Sequence, residues 1–237
     1  MAGKYLSGAL VEFVETFMLP VPNVIVFQYN PETITHTWTQ PVAAPATESY
    51  GNLLAVKGSP GESFQFTIAM DANDMIADGR PAVEGLAATT GIYSRLAALE
   101  MLQYPVAPAS TGNLLGTVNA SGPTLTGSGT KTSPFKVTVP LGQIPTVLFV
   151  WGAGRVLPVR VTSLTITEKL YDPLLNPTHA DAVLGLRVLL PEELLFIPGK
   201  QGDIAKAAYT YTLTLRKALA VANLANAAEN RVGMLPV

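Results

Sequence analysis

Apolar and polar positions alternate most regularly between Ile144 and Leu190, where the pattern predicts three strands joined by two connections. Val147, Phe149 and Trp151 alternate with Thr146, Leu148 and Val150, so the first strand is apolar on both faces and is expected to be buried on both sides. Gly152-Ala153-Gly154 then supplies the positive backbone angles of a tight reversal. In the second strand Leu157, Val159 and Val161 share a face, but the apolar phase slips to Leu164 and Ile166. A one-residue slip within a strand is the signature of a β-bulge, expected here near Thr162 and Ser163. After the turn-rich DPLLNPTHAD, in which His179 is read as part of the connection, the third strand sets Leu184, Leu186, Val188 and Leu190 on one face and Arg187 on the other.

The preceding residues predict further strands. Leu6 to Thr16 carries Ala9, Val11 and Phe13 on one face, and Val24 to Tyr29 and Thr33 to Thr39 flank the turn at Asn30-Pro31. Thr33, Thr35, Thr37 and Thr39 face one way and Ile34, His36 and Trp38 the other, which predicts one packed face. Residues 40 to 60, rich in Pro, Ala, Gly and Ser, are expected to form a loop without internal order. In GESFQFTIAMD, Phe64, Phe66, Ile68 and Met70 oppose Ser63, Gln65 and Thr67, a half-buried strand. Helix is expected only afterwards, from Thr90 to Gln103, on the spacing of Ile92, Leu96, Leu99 and Leu102. Residues 107 to 132 read as a long excursion from the fold. At the C-terminus, YTYTLTLR alternates like a strand, but Ile204, Ala208, Tyr211, Leu215, Ala218 and Ala222 form a helical stripe. The alanine-rich continuation favours a helix from Asp203, as N-cap, to about Glu229.

Composition narrows what these elements belong to. The 237 residues are 48% hydrophobic with a net charge of −2 and no clustered Lys or Arg, which argues against nucleic acid as the main partner. The absence of cysteine excludes disulfides, thiol nucleophiles and cysteine metal sites. MAGKYLSGALVEF lacks the continuous apolar core of a signal peptide, and no run approaches the roughly 18 apolar residues of a membrane span. A chain so apolar and sparsely charged is expected to hide surface in an assembly.

Candidate chemistry adds little. His36 and His179 have no partner at metal-ligand spacing. Asp71, Asp74 and Asp78 lack the alternating ligands and closing glutamate of a calcium loop, and read as a turn at a strand end. Glu192 and Glu193, read as a solvated strand end, would point to opposite faces. No Gly-x-Ser-x-Gly elbow, Walker loop or dinucleotide glycine motif occurs. The expectation is a non-enzyme without cofactor or metal, with Phe27, Trp38, Phe64, Phe66, Phe149 and Trp151 as core residues.

Several landmarks in order carry a resemblance: FQYNPETITHTW, ESFQFTIAMD, GIYSRLAALEML, PTVLFVWG and VRVTSLTITEKLYDPLLNPTHADAVLGLRV. Together they resemble the tube-related baseplate protein of contractile injection systems, a family similar to the phage tail hub component that often carries a LysM module. Phe27, Asn30, Pro31, Ile34, Asp71, Pro145, Phe149, Trp151, Gly152, Asn176, Pro177 and Ala180 stand at the matching places. Ile144 replaces a proline of the pattern, Thr178-His179 stands where an arginine is usual, and no LysM module follows Leu190, so glycan binding is not carried over. The resemblance implies a mainly β fold with flanking helices, a split β-barrel of tail-tube type over residues 1–198, with 107–132 as an insertion and 199–237 as a helical extension. It implies a structural subunit in the baseplate or hub, or at the start of the inner tube, of a cytoplasmic or released particle. Implied partners are the spike or hub protein, the inner tube, other baseplate subunits and copies of itself in a ring, with neither nucleic acid nor membrane insertion. Asn30 and Pro31 and, on the C-terminal helix, Tyr211, Leu215, Arg216 and Leu219 are the expected contact residues. A carbohydrate- or ligand-binding β-barrel with Trp38 and Trp151 as stacking platforms is the alternative.

Overall fold

The structure is a computed structural model and describes residues 6–16, 19–43, 54–77, 81–105, 144–197 and 199–231. Its strands are β1 (Ala9–Thr16), β2 (Leu19–Val26), β3 (Ile34–Thr39), β4 (Val42–Ala43), β5 (Val56–Lys57), β6 (Gly61–Asp71), β7 (Val147–Val150), β8 (Val156–Tyr171) and β9 (Pro177–Val188). Seven form one antiparallel sheet in the order β2-β1-β7-β8-β9-β6-β3, and β4 pairs with β5 separately. The helices are α1 (Ala72–Ala77), α2 (Pro81–Thr90), α3 (Tyr93–Met101), α4 (Pro191–Leu194) and α5 (Gly199–Arg231).

The sheet is curled without being closed. Laid flat, strand spacings of about 4.8 Å would hold the two edges of seven strands nearly 30 Å apart. Yet Gln28, just past the end of edge strand β2, donates from Nε2 to the Asp71 carbonyl (2.9 Å) and accepts the Asp71 N–H on Oε1 (3.1 Å). Asp71 ends β6, the neighbour of the opposite edge, so the two sides have swung towards each other, though no ladder joins them. Inside the curl, Phe64 and Phe149 stand 5.2 Å apart between ring centroids, Phe66 and Phe149 5.4 Å, and Phe27 and Phe66 5.6 Å. Phe27, Phe64, Phe66 and Phe149 are buried, and Trp151, partly buried, packs on the same cluster. Gly8 makes room for that indole: a Cβ there would lie 2.6 Å from Trp151 and 2.7 Å from Phe27.

The central meander follows the apolar pattern. Val147, Leu148 and Phe149 are all buried, so β7 is covered on both faces. Gly152 turns at φ +67°, and the Trp151 N–H reaches the Arg155 carbonyl at 2.8 Å. The β8–β9 register breaks between Val161 and Ser163, which places the bulge where the apolar phase slips. Gly185 faces this bulge, and a Cβ there would collide with the Ser163 hydroxyl. β9 begins at Pro177, so His179 lies in a strand and not in the connection. Leu190 has left the strand and stands at the N-cap of α4.

Elsewhere the structure departs from the expectations. β2 pairs with β1 and β3 with β6, so the strands flanking Asn30-Pro31 occupy opposite edges of the sheet instead of neighbouring one another. In β1 it is Leu10, not the face of Ala9, Val11 and Phe13, that enters the core cluster. The 40–60 stretch contains the β4–β5 pair, and residues 106–143, which include the expected excursion, lie outside the described residues. Two helices precede the expected one. The Asp71 carboxylate accepts the Asn73 N–H (2.8 Å) at the start of α1, and α2 ends at Gly91, whose φ of +57° a side chain would strain. Ile92 then donates to the Pro177 carbonyl at 2.9 Å, and Ile92, Leu96, Leu99 and Leu102 point into the core. Glu192 and Glu193 belong to α4: Glu193 accepts the Leu190 N–H (2.9 Å).

α5 is one long helix containing YTYTLTLR, and Asp203 lies inside it and not at its N-cap. The packed stripe coincides with the apolar one only in part, at Ala208 and the half-buried Leu215. Ala205, Ala208 and Thr212 are buried, whereas Ile204, Tyr211 and Ala218 are exposed. The Thr212 hydroxyl donates to the Val156 carbonyl (2.7 Å) and accepts the Val156 N–H (3.1 Å), so a polar group at the helix–sheet contact is fully satisfied. No helix of the described residues is long and apolar enough to cross a membrane.

Candidate functional site

One cluster of charge and aromatic rings joins α5 to the β3 edge. β3 and β6 pair Trp38 with Glu62 and His36 with Phe64, so alternation puts these side chains on the sheet face that α5 approaches. Glu62, only 4% exposed, receives a bidentate pair from Arg216 of α5 at 2.8 and 2.5 Å. The Arg216 guanidinium also lies over the Trp38 ring, 5.1 Å from its centroid. His36 stacks on Phe64 at 4.3 Å. Its Nε2 comes within 2.8 Å of Glu62 Oε1 but without the geometry of a hydrogen bond, so Nε2 is left without a directed partner among the described residues. Burial holds the His36 pKa below its ordinary value. Glu62 pulls it upward, and Arg155 and Arg216 push it further down.

A second polar group lies at the far end of β6. His179 Nδ1 is 3.3 Å from Asp71 Oδ2, and Asp181 pairs with Lys169. Burial would raise the Asp71 pKa, but the Asn73 N–H, the His179 ring and the Asp74 N–H outweigh it and hold the carboxyl below its usual range. Tyr29 donates to the Asp74 carboxylate, which with burial pushes its phenol up to about 12. Asp78 lies outside the described residues. Among the described residues no three His, Asp or Glu side chains are placed to hold a metal ion.

The expected contact residues are not gathered in one place. Asn30 accepts the Gly8 N–H and donates to the Leu6 carbonyl, both at 2.8 Å, so its side chain pins the start of the chain onto the turn. Pro31 is half-buried beside it. Tyr211 is half-exposed and donates to the Ala153 carbonyl at 2.8 Å, Leu215 is half-buried near Gly154, and Arg216 is engaged with Glu62. Leu219 is exposed, with Val221 and Leu224 beyond it. Trp38, expected in the core, is 50% exposed: it stands near the end of the edge strand β3, with the Arg216 guanidinium over one face of its ring.

The apolar surface that sequence reading missed is the tip of the β8–β9 hairpin. Leu174 and Leu175 are 79% and 78% exposed, and Leu170 and Tyr171 are exposed beside them. Leu170 and Leu175 hold φ of +53° and +65°, a region costly for a side-chain-bearing residue. The turn is set by Asp172, whose carboxylate accepts the N–H groups of Leu174 and Asn176 and the Asn176 amide, each at 2.8 Å. Those bonds hold its pKa below the usual carboxylate range. The pair of leucines in DPLLNP was the available signal, read only as a turn.

No model of a known protein family matches the chain, and none of the curated proteins compared with it does.

Proposed function

We propose that this chain is a structural subunit of a contractile injection system, seated in the baseplate or hub or at the start of the inner tube, with its curled sheet acting as a split β-barrel of tail-tube type. The observation that carries the reading is the hairpin tip: four exposed apolar side chains, two of them on leucines at positive φ, on a firmly built turn. Strain and exposure at one place mark a surface shaped for a partner and not for the isolated chain. The landmark residues of the resemblance add support, since Asn30 pins the residues that lead into β1, the Asp71 carboxylate starts α1, and Asn176 shapes the hairpin turn. The partners are the spike or hub protein, tube subunits and further copies of the chain. The glycan-binding alternative is less well supported: Arg216 occupies one face of the Trp38 ring, and aromatic side chains fill the inside of the curl.

The test is co-expression with the tube and spike proteins of a contractile particle from the same genome, followed by co-purification and concentration-dependent light scattering. Retention of the wild-type chain in particles, and its loss with Leu174→Ser/Leu175→Ser at unchanged melting temperature, is the expected result. A monomer at every concentration that is never retained overturns the assembly reading.

A further inference from the structure

The register of the central hairpin brings Arg160 of β8 directly opposite Arg187 of β9. Like charges facing each other across a strand pair are destabilising unless something neutralises them. Arg187 is neutralised internally, since its guanidinium binds the Glu193 carboxylate at 3.1 and 2.8 Å. That contact is bidentate, so it occupies both oxygens of the carboxylate. Arg160 is exposed, and among the described residues it makes no hydrogen bond or short ion pair; it reaches Glu193 only through its charge.

Arg160 lines a cleft of about 320 Å³ together with Gln103, Ile144, Val161, Thr162 and Arg187. The cleft collects donors. The Gln103 side-chain amide and the Thr162 hydroxyl also have no hydrogen-bond partner among the described residues. Thr162 lies two residues beyond Arg160 on β8, so alternation sets both on one face, and as the extra residue of the bulge it has no register partner on β9. Its neighbour across the strand is Gly185, which has no side chain to cover it.

We propose that this cleft binds a single carboxylate, clamped by the Arg160 guanidinium with Gln103 and Thr162 as further donors. The charge balance calls for a monoanion, since two arginines and one glutamate leave one net positive charge, and the planar Arg160 fork matches the two oxygens of a carboxylate as Arg187 does those of Glu193. The same chemistry can come from a free small carboxylate or from an Asp or Glu side chain of a neighbouring protein. The proposal stands without the assembly reading.

The test is NMR of the side-chain N–H groups of the full-length protein, labelled at arginine, with the Arg160 resonance identified by its absence in Arg160→Gln. Acetate, a blocked glutamate (N-acetyl-glutamate amide), the corresponding blocked glutamine, chloride and phosphate are titrated at constant ionic strength. A saturable shift of the Arg160 resonance is expected with a carboxylate, and binding weaker by about tenfold or more with glutamine, chloride and phosphate. Saturation by acetate as well as by blocked glutamate assigns the site to a free carboxylate; saturation by blocked glutamate alone assigns it to a protein side chain. Arg160→Gln and Thr162→Val, with core methyl resonances unchanged, should abolish and weaken the binding respectively. No saturable shift, tightest binding of phosphate, or undiminished binding by Arg160→Gln followed at Arg187 overturns the proposal.

Discussion

Replacing Arg216 by Met removes, among the described residues, the arginine bonded to the almost fully buried Glu62 carboxylate, while keeping a side chain of similar length. Breaking a fully buried ion pair from one side costs about 3–5 kcal/mol, because the remaining charge is left uncompensated. Glu62 is 4% exposed but Arg216 is 29% exposed, so water reaches the pair from one side and the cost falls to the bottom of that range or just below it, about 2–3 kcal/mol. Loss of the cation over a half-exposed indole adds about 0.5–1 kcal/mol. The companion change Glu62→Gln removes the charge that Arg216 compensates, so the double variant should recover much of the loss, with a coupling of about 2 kcal/mol. Urea unfolding of the four proteins, followed by tryptophan fluorescence, measures the cycle. Single-variant costs that simply add, to within about 0.5 kcal/mol, would refute the reasoning that Arg216 ties α5 to the sheet through Glu62.

Three further outcomes are expected. Gly91→Ala should lower stability by about 2–3 kcal/mol, since its Cβ would collide with the Pro177 carbonyl at a backbone angle disfavoured for alanine; an unchanged thermal midpoint would contradict this. Leu175→Gly should raise stability by about 1 kcal/mol by relieving φ +65°, while reducing incorporation into particles; a stability loss in the isolated chain would show that Leu175 packs internally. His36 has a folded pKa below its unfolded value of about 6.5, so the unfolded chain binds more protons just below that pH, and stability falls as pH drops through the window. The wild type should therefore lose stability relative to His36→Asn between pH of about 7 and 5, and a relative gain on acidification would reverse the assignment.

Much of the strand content was legible, because a half-buried strand writes its geometry as alternation. Phe64, Phe66, Ile68 and Met70 are buried together, and the phase slip after Val161 located the bulge. Strand order was not legible: whether β3 sits beside β2 or on the far edge depends on pairing with β6 and β9, which no local pattern encodes. α1 and α2 escaped because they are short and weakly amphipathic, so neither shows a continuous apolar stripe. The packed face of α5 was misassigned in part because a threonine bound to a backbone and an arginine bound to a buried carboxylate fasten it. Apolar periodicity is blind to both. The exposed hairpin leucines and the Arg160 cleft depend on turn angles and cross-strand register, and so became visible only in three dimensions.

The strand order also sets a timetable. β7, β8 and β9 occupy the middle of the sheet yet are the last strands to be synthesised, while β2 and β1 flank them on one side and β6 and β3 on the other. β1 ends at Thr16 and must wait for Val147 to find its partner in β7. The β1–β2 hairpin and the β3–β6 pair can form early, but each two-stranded unit on its own is only marginally stable in water. Two half-sheets therefore emerge first, each with an unpaired edge, and the local β7–β8–β9 meander welds them together from the centre outwards. A chain interrupted before residue 144 holds all the flanks and no keystone, and during synthesis it is in that state that it is most exposed to pairing with the wrong strand.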